Sequence, residues 1–203
     1  MSLTPEQLER YARHIMLREI GGPGQQKLLK AHVALVGLGA LGGPAALYLA
    51  ASGVGKLTLI DDDSVSLSNL QRQILFDTDD VGQPKTDVGA RRLAAVNPGL
   101  NVETRAARLS PDNAADLLAG ADIVVDYRCL VSEMPETEET CAMVGVIGPL
   151  TGIIGARLAL EAVKEITSAG QSLAGRLWLF DGLNGEARTV TLKADPACSV
   201  CGD

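Results

Sequence analysis

A glycine-rich turn between a strand and a helix is the feature that most constrains how this chain folds. The apolar residues 33–36 lead into Gly37-Leu38-Gly39-Ala40-Leu41-Gly42, and small residues predict a helix from there to about Ser52. Glycines at this spacing permit a tight turn, and the following helix N-terminus offers N–H donors to a phosphate. The turn predicts a nucleotide site. The turn alone does not show whether the ligand is NAD, FAD, SAM or ATP, and the same glycine spacing also occurs in turns that bind no ligand.

Strands alternate with helices along the first part of the chain. Further strands are predicted at residues 57–60, 101–107 and 122–126, and helices at residues 84–96 and 110–120. This alternation is typical of an α/β fold with a Rossmann-like, doubly wound and mainly parallel sheet. Because 46% of the residues are hydrophobic and only 3% are aromatic, we expect an aliphatic core.

The N-terminal segment has helical signals of its own. Thr4 and Gln7 form a capping-box pattern that predicts a helix to about Arg18. The glycines within residues 21–24 are expected to end it, before a short helix at residues 25–30.

The C-terminal part has a different pattern. A long helix is predicted at residues 150–167, and strands at 177–180 and 189–192 predict a C-terminal antiparallel hairpin. Gly148 and Gly152 have the G-x-x-x-G spacing, which here indicates close packing of a buried helix rather than a membrane dimer.

Charge and hydropathy argue against several classes of function. The net charge of −7 does not suit a general nucleic-acid binder, which needs a basic surface. We find no leader pattern, and the longest uncharged run, residues 140–156, is shorter than the about 20 apolar residues of a membrane span. We therefore expect a cytoplasmic protein that binds neither nucleic acid nor membrane. In a reducing compartment, its four cysteines favour metal binding or catalysis over disulfides.

One acid and two cations follow the glycine turn. Asp61 ends the second strand, where a carboxylate accepts hydrogen bonds from ribose hydroxyls. Arg72 and Lys85 are not required by NAD, but two fixed cations suit a triphosphate that is attacked at phosphorus, because negative charge builds on its oxygens. Each cation alone is more commonly a solvated surface charge. The combination favours phosphate chemistry.

These segments together resemble the ubiquitin-activating-enzyme superfamily, and within it the ThiF/MoeB/HesA branch, whose MoeB-like members match best. The resemblance rests on Arg10–Ile15, Gly37–Gly42, Asp61, Ser68–Gln73, Gly82–Lys85 and the cysteine segment Glu139–Ala142 followed by Gly145–Gly155. It implies a homodimer that uses MgATP to adenylate the terminal glycine of a ubiquitin-like sulfur-carrier protein, in molybdopterin or thiamine type sulfur transfer.

The resemblance also implies roles for single residues. Asp61 would hold the ribose, and Asn69, Arg72 and Lys85 would hold the phosphates. Arg13 would reach into the neighbouring subunit's site as an arginine finger, with a solvated arginine as the plain alternative. The remaining predicted nucleotide-binding residues are Gly37, Gly39, Ala40, Gly42 and Asp63, with Ala40 standing where the family usually has glycine.

Cysteine chemistry is implied at two further places. Cys141 would act as the nucleophile that displaces AMP, and a small buried cysteine is its alternative. Cys198 and Cys201 form half of a zinc site. We expect Cys129 to join them in binding Zn²⁺, with Asp126 as the candidate fourth ligand; a degraded site without metal is the alternative.

The chain departs from the resembled family directly after Asp126. There the family has a magnesium-binding aspartate, a helix and further strands before the zinc cysteines. A segment of about 30 residues or more is therefore predicted to be absent. We expect one domain over residues 1–203, composed of a helical arm (1–30), a nucleotide-binding half (31–126) and a truncated carrier-binding and zinc half (127–203).

Because a segment is predicted to be absent, other functions must also be considered. We expect ATP binding and adenylation to be weak because of this absence. The alternatives are a dimeric binding scaffold without activity, an NAD-dependent oxidoreductase, and the branch of the same family that activates a modified tRNA base.

Overall fold

The computed structural model describes residues 3–125 and 145–192, which contain seven α-helices and six β-strands. The helices are α1 Pro5–Arg10, α2 Ala12–Ile15, α3 Gly21–Lys30, α4 Gly42–Ser52, α5 Lys85–Val96, α6 Ala114–Leu117 and α7 Gly148–Thr167. The strands are β1 His32–Val36, β2 Lys56–Ile60, β3 Asn101–Arg105, β4 Ile123–Val125, β5 Arg176–Asp181 and β6 Glu186–Thr191. Two short 3₁₀ turns, Leu67–Asn69 and Thr78–Asp80, lie between β2 and α5.

Four parallel strands form the central sheet in the order β3-β2-β1-β4. Val36, the last residue of β1, pairs with Ile60, the last residue of β2, so the carboxyl ends of both strands meet at one edge. The chain moves from β1 outward to β3 and returns to β4 on the other side of β1. Ligands of open α/β sheets bind at such a reversal. The predicted Rossmann-like fold class is confirmed.

The core on this sheet is aliphatic, as the composition predicts. Val33, Leu35, Leu57 and Leu59 of the two central strands are fully buried, and Leu93 of α5 belongs to the same cluster. Burying each leucine stabilises the fold by roughly 1.5–3 kcal/mol relative to leaving it exposed. The two central strands therefore give the loops at their carboxyl ends a rigid base.

Helix α7 packs closely on the nucleotide-binding half, but of the predicted pair Gly148 and Gly152 only Gly148 takes part, and the second close contact is at Gly155. A Cβ on Gly148 would lie 2.5 Å from the carbonyl oxygen of Gln71, and one on Gly155 would lie 2.5 Å from that of Leu41. A Cβ on Gly152 would meet nothing within 4 Å. The two close contacts are therefore seven residues apart, which is two helical turns, so both glycines lie on the same side of α7.

The N-terminal prediction is wrong in two respects. The helix is interrupted at Tyr11, whose ring is buried and whose hydroxyl accepts a hydrogen bond from Asn97 Nδ2 (2.9 Å). In addition, α3 already begins at Gly21. Pro23 is tolerated in its first turn, where a backbone N–H has no helical partner, and Gly24 is required because a Cβ there would lie 2.9 Å from Ile20 Cγ2.

Two predicted elements are shorter than expected. The strand predicted to residue 107 ends at Arg105. The helix predicted over residues 110–120 is reduced to α6, because the Asn113 side chain accepts from the N–H of Ser110 (2.8 Å) and donates to the carbonyl of Arg108 (3.0 Å). Such side-chain bonds to nearby backbone compete with a helix.

The predicted hairpin is confirmed as a separate two-stranded antiparallel sheet of β5 and β6. Trp178 and Phe180 stack on one of its faces with ring centroids 5.4 Å apart. The guanidinium of Arg157, from α7, lies 5.3 Å from the centre of the Trp178 ring, which is within cation–π distance. Within the described residues, no helix is long and apolar enough to cross a lipid bilayer.

Candidate functional site

The glycine turn after β1 is as tight as its sequence predicts. Gly37 adopts a φ of +85°, in the left-handed region that favours glycine, and its N–H donates to the carbonyl of Ile60 (2.8 Å). A Cβ on Gly42 would lie 1.8 Å from the Gly37 carbonyl oxygen. No side chain fits there, so the N-terminus of α4 closes directly on the end of β1. The turn contains the predicted residues Gly37, Gly39, Ala40 and Gly42.

Asp61 lies beside this turn, at the carboxyl end of β2. Its Oδ2 accepts from the N–H of Leu38 (2.6 Å) and its Oδ1 from the N–H of Asp63 (2.8 Å). An ionised carboxylate has about four acceptor positions, so each oxygen keeps one for a ligand. The two bonds fix the carboxylate at the mouth of the turn, where we predicted a partner for ribose hydroxyls.

Lys85 occupies the first position of α5 and is almost completely buried, with 4% of its surface exposed. Its Nζ lies 2.8 Å from Oδ2 of Asp63, and its backbone N–H donates to the Asp63 carbonyl (3.0 Å). Burial and the positive end of the α5 dipole both disfavour a cation here. The Asp63 carboxylate offsets both effects. The ion pair and the backbone hydrogen bond therefore hold the start of α5 against the acidic turn.

Asp61, Asp62 and Asp63 bring carboxylate oxygens within 4.8 Å of one another, a spacing that a metal ion can bridge. Asp62 and Asp63 are largely exposed. Oxygen ligands of this kind suit Mg²⁺, which usually takes one or two carboxylates together with substrate phosphates.

Asn69 and Arg72 lie on the irregular segment that crosses in front of the sheet edge. Asn69 ends the first 3₁₀ turn, and its carbonyl accepts from the N–H of Arg72 (3.0 Å). The Arg72 guanidinium is half-buried and donates to the carbonyl of Ser68 (2.9 Å). Gly148 of α7 packs on this segment, since its Cβ would lie 3.4 Å from the Cα of Arg72. The helix thereby fixes the backbone that carries the predicted phosphate ligands.

Arg13 lies on α2 with its side chain exposed, and the described residues include no hydrogen-bond or ion-pair partner for it. Its neighbours hold the helical arm in place. His14 Nδ1 lies 3.0 Å from Gln25 Oε1, and Gln25 Nε2 donates to the carbonyl of Ser52 (2.9 Å). The structure does not join Arg13 to the glycine turn of its own chain.

Gln73 is a residue of this site that we did not single out from the sequence. It is 5% exposed, and its Nε2 lies 3.8 Å from where a Cβ of Gly39 would be. Its Oε1 is buried and has no hydrogen-bond partner among the described residues. The available signal was its place directly after Arg72, which puts it on the same segment as the predicted phosphate ligands.

The remaining predicted site residues lie outside the described residues. These are Asp126, Cys129, Cys141, Cys198 and Cys201, so the nucleophile and the zinc site stay predictions.

A parallel sheet whose reversal point carries a tight glycine turn, a carboxylate and a buried lysine defines a nucleotide-binding α/β protein. The ThiF family model matches residues 11–126 and 127–200, and the chain belongs to the ThiF family. The resemblance predicted from the sequence is therefore confirmed.

Two relatives cover nearly the whole chain. The SAMP-activating enzyme E1 of Haloferax volcanii is 38% identical over 248 aligned positions, which cover 100% of this chain and 92% of the relative. The sulfur carrier protein ThiS adenylyltransferase of Escherichia coli is 39% identical over 238 positions, covering 95% of this chain and 94% of the relative. The second name agrees with the predicted enzyme class.

A solved structure extends the comparison to a bound nucleotide. The E. coli tRNA N6-threonylcarbamoyladenosine dehydratase, TcdA, in complex with ATP matches with a TM-score of 0.58 and 34% sequence identity. The match covers 62% of this chain and 51% of TcdA.

The comparisons also bear on the predicted internal gap. The Haloferax alignment has 248 positions whereas this chain has 203 residues, so about 45 positions of the alignment have no residue from this chain. The family model matches in two parts that meet between residues 126 and 127. Both findings agree with an absent segment after Asp126.

Proposed function

We propose that this chain is an ATP-dependent adenylyltransferase that activates the C-terminal glycine carboxylate of a ubiquitin-like sulfur-carrier protein. The observation that carries the proposal is the Lys85–Asp63 pair beside Asp61 and the glycine turn, because a buried cation next to this turn supports a site for phosphates. The family and the named relatives support the same reaction. They leave the molybdopterin and thiamine pathways open, and the cytoplasmic location stays a prediction.

The reaction follows from the positions of the charges. A carboxylate oxygen of the carrier attacks the α-phosphorus of ATP, the bond between the α-phosphorus and the bridging oxygen breaks, and pyrophosphate leaves with the electron pair. Lys85 and Arg72 stabilise the charge that builds on the phosphate oxygens. Asn69 donates to the same phosphates, and Asp61 accepts from the ribose hydroxyls. The thiol or persulfide sulfur of Cys141, to which we assign the second step, then attacks the carbonyl carbon of the acyl adenylate, and AMP leaves as the bond from that carbon to the phosphate oxygen breaks.

The proposal includes a homodimer. Arg13 is exposed on an arm that Tyr11, His14 and Gln25 anchor to its own subunit. Because the arm is held in place while the arginine is exposed, Arg13 is available to a second copy of the chain. We assign it to the phosphates in the partner subunit's site.

The proposal also includes two metal ions, for which we name the residues that would bind them. Mg²⁺ would accompany ATP and neutralise phosphate charge, with Asp62 and Asp63 as the described carboxylates that would hold it. Zn²⁺ would bind Cys129, Cys198 and Cys201.

The absent segment limits how well the reaction can run. β4 forms an edge of the described sheet, and Val124 in it is 43% exposed. Further strands of the relatives would extend the sheet at this edge, which is our account of the 45 unmatched positions. We therefore expect ATP binding and adenylation to be weaker than in a chain that has the segment.

Pyrophosphate–ATP exchange in the presence of a sulfur-carrier protein tests the proposal. We expect slow but measurable exchange that disappears when the carrier lacks its terminal glycine. Lys85→Met should lower the rate about 100-fold without lowering the melting temperature, because it removes a buried charge and leaves Asp63 solvated. Lys30→Met, at an exposed lysine that ends α3, is the matched control. Carrier binding without any exchange would instead support an inactive scaffold.

The likeness to TcdA supports a second candidate, activation of a modified tRNA base. The net charge of −7 speaks against it. A filter-binding assay with bulk tRNA at low salt separates the two, since a tRNA enzyme binds in that assay and a carrier-specific enzyme does not.

A further inference from the structure

We infer that Gln73 is a nucleotide-binding residue that contacts the phosphates of ATP through its side-chain amide. The inference rests on the proposed function, because it takes the glycine turn to be the phosphate site. Gln73 would thus be an uncharged phosphate ligand, in addition to the cations Arg72 and Lys85.

The first observation is that, among residues 3–125 and 145–192, the Gln73 carboxamide makes no hydrogen bond. Its backbone N–H donates to the carbonyl of Asn69 (2.9 Å) and its carbonyl accepts from the N–H of Phe76 (3.2 Å), so the main chain is satisfied. The side chain is 5% exposed, yet Oε1 has no partner among the described residues. A buried polar atom without a partner destabilises a fold, and buried polar side chains are normally bonded. A glutamine retained here therefore suggests a role in binding.

The second observation is where the amide lies. Nε2 is 3.8 Å from the position of a Gly39 Cβ, so the amide faces the middle of the glycine turn. Gly39 keeps that face open, and Arg72 precedes Gln73 on the same segment. A phosphate at the turn offers only acceptors, and the Gln73 NH₂ is a donor directed at it. Oε1 is then available to a water molecule or to a hydroxyl of the ligand.

The test compares equilibrium binding of ATP and of adenosine to the full chain and its variants, with the melting temperature measured alongside. Gln73→Met keeps the size and removes both polar atoms. Gln73→Glu keeps the shape and adds a negative charge facing the phosphates. Gln71→Met, at an exposed glutamine two residues earlier, is the matched control.

We expect Gln73→Met to weaken ATP binding about tenfold or more, since a hydrogen bond to a charged group is lost, and Gln73→Glu to weaken it further. Adenosine affinity should be unchanged in both variants. The melting temperature of Gln73→Met should be equal to or above that of the wild type, and Gln71→Met should match the wild type throughout.

Three results would overturn the inference. If both Gln73 variants bound ATP with wild-type affinity, Gln73 would have no role in binding the phosphates. The proposed function would be unaffected by that result. An equal loss for adenosine and ATP would move the contact away from the phosphates. A wild-type chain that binds no ATP would overturn both this inference and the proposed function.

Discussion

The nucleotide-binding half and the C-terminal half of the described molecule are held together in different ways. In residues 31–125, the two central strands β1 and β2 are largely buried, and close backbone contacts at Gly42 fix the glycine turn. In residues 145–192, only α7 is packed into the core, and no side chain of β5 or β6 is fully buried. The central sheet and α7 share one hydrophobic core, whereas the hairpin lies outside that core.

Among the described residues, two contacts from α7 illustrate how the hairpin is held. Arg157 stacks on Trp178, and Leu150 approaches Gly182, where a Cβ would lie 3.0 Å from the leucine Cδ1. An isolated two-stranded hairpin is at best marginally stable in water. The family model matches this chain in two parts, residues 11–126 and 127–200, and the hairpin belongs to the second part.

The largest effect that we expect in the nucleotide-binding half comes from Gly42→Ala. The new methyl group would lie 1.8 Å from the Gly37 carbonyl oxygen, so the turn must open. The free energy of unfolding should fall by about 3 kcal/mol or more, and ATP binding should be lost. Urea denaturation followed by circular dichroism measures the first effect, and calorimetry measures the second.

Gly152→Ala is the matched control in the other half. The position lies inside α7, and a Cβ there meets nothing within 4 Å. Alanine is the better helix former, so the free energy of unfolding should rise by about 0.5–1 kcal/mol. If Gly42→Ala proved as harmless as Gly152→Ala, the turn would be adaptable and the contrast between the halves would be lost.

The contrast between the halves also explains which features could be predicted from the sequence. The strands around the glycine turn and the position of Asp61 were predictable, because buried apolar runs and glycine spacing are local signals. The parallel direction of the strands was predictable from the alternation of strands and helices, whereas the strand order was not predicted. The hairpin was likewise predictable, since its strands are adjacent along the chain.

Other features depend on contacts between distant residues, and a local pattern does not reveal them. The break at Tyr11 arises because its hydroxyl bonds to Asn97, 86 positions away. The pairing of Lys85 with Asp63 requires α5 to begin beside the acidic turn. The choice of Gly155 over Gly152 depends on which side of α7 faces Leu41.

A smaller effect should show that the hairpin opens before the sheet. Trp178 is the only tryptophan of the chain, so its fluorescence reports on β5 alone. We expect its urea transition to precede the loss of helical circular dichroism. Arg157→Ala should move the fluorescence transition to lower urea, corresponding to about 0.5–1 kcal/mol for the lost cation–π contact, while the circular dichroism transition stays in place. Coincident transitions would mean that both halves unfold as one unit.

The smallest effect is a pH dependence confined to the hairpin. The Asn184 side-chain amide donates to the Asp181 carboxylate (2.7 Å) and, together with the N–H groups of Asn184 and Leu183, holds the pKa of Asp181 below its ordinary value of 3.8. A lowered pKa stabilises the turn at pH values above about 4, and this contribution is lost as the pH falls through the folded-state value. Trp178 fluorescence should therefore show the hairpin opening below pH 4.

Asp181→Asn keeps an acceptor oxygen but cannot titrate, so it should remove the pH dependence of the Trp178 signal. The hydrogen bond from Lys56 is the main cause that lowers the pKa of Glu103 in β3, and this carboxylate titrates in the same acidic range within the main sheet. Glu103→Gln should accordingly leave the Trp178 profile unchanged and affect only the circular dichroism of the sheet half. A Trp178 profile that followed Glu103 rather than Asp181 would instead show that the hairpin and the main sheet open together.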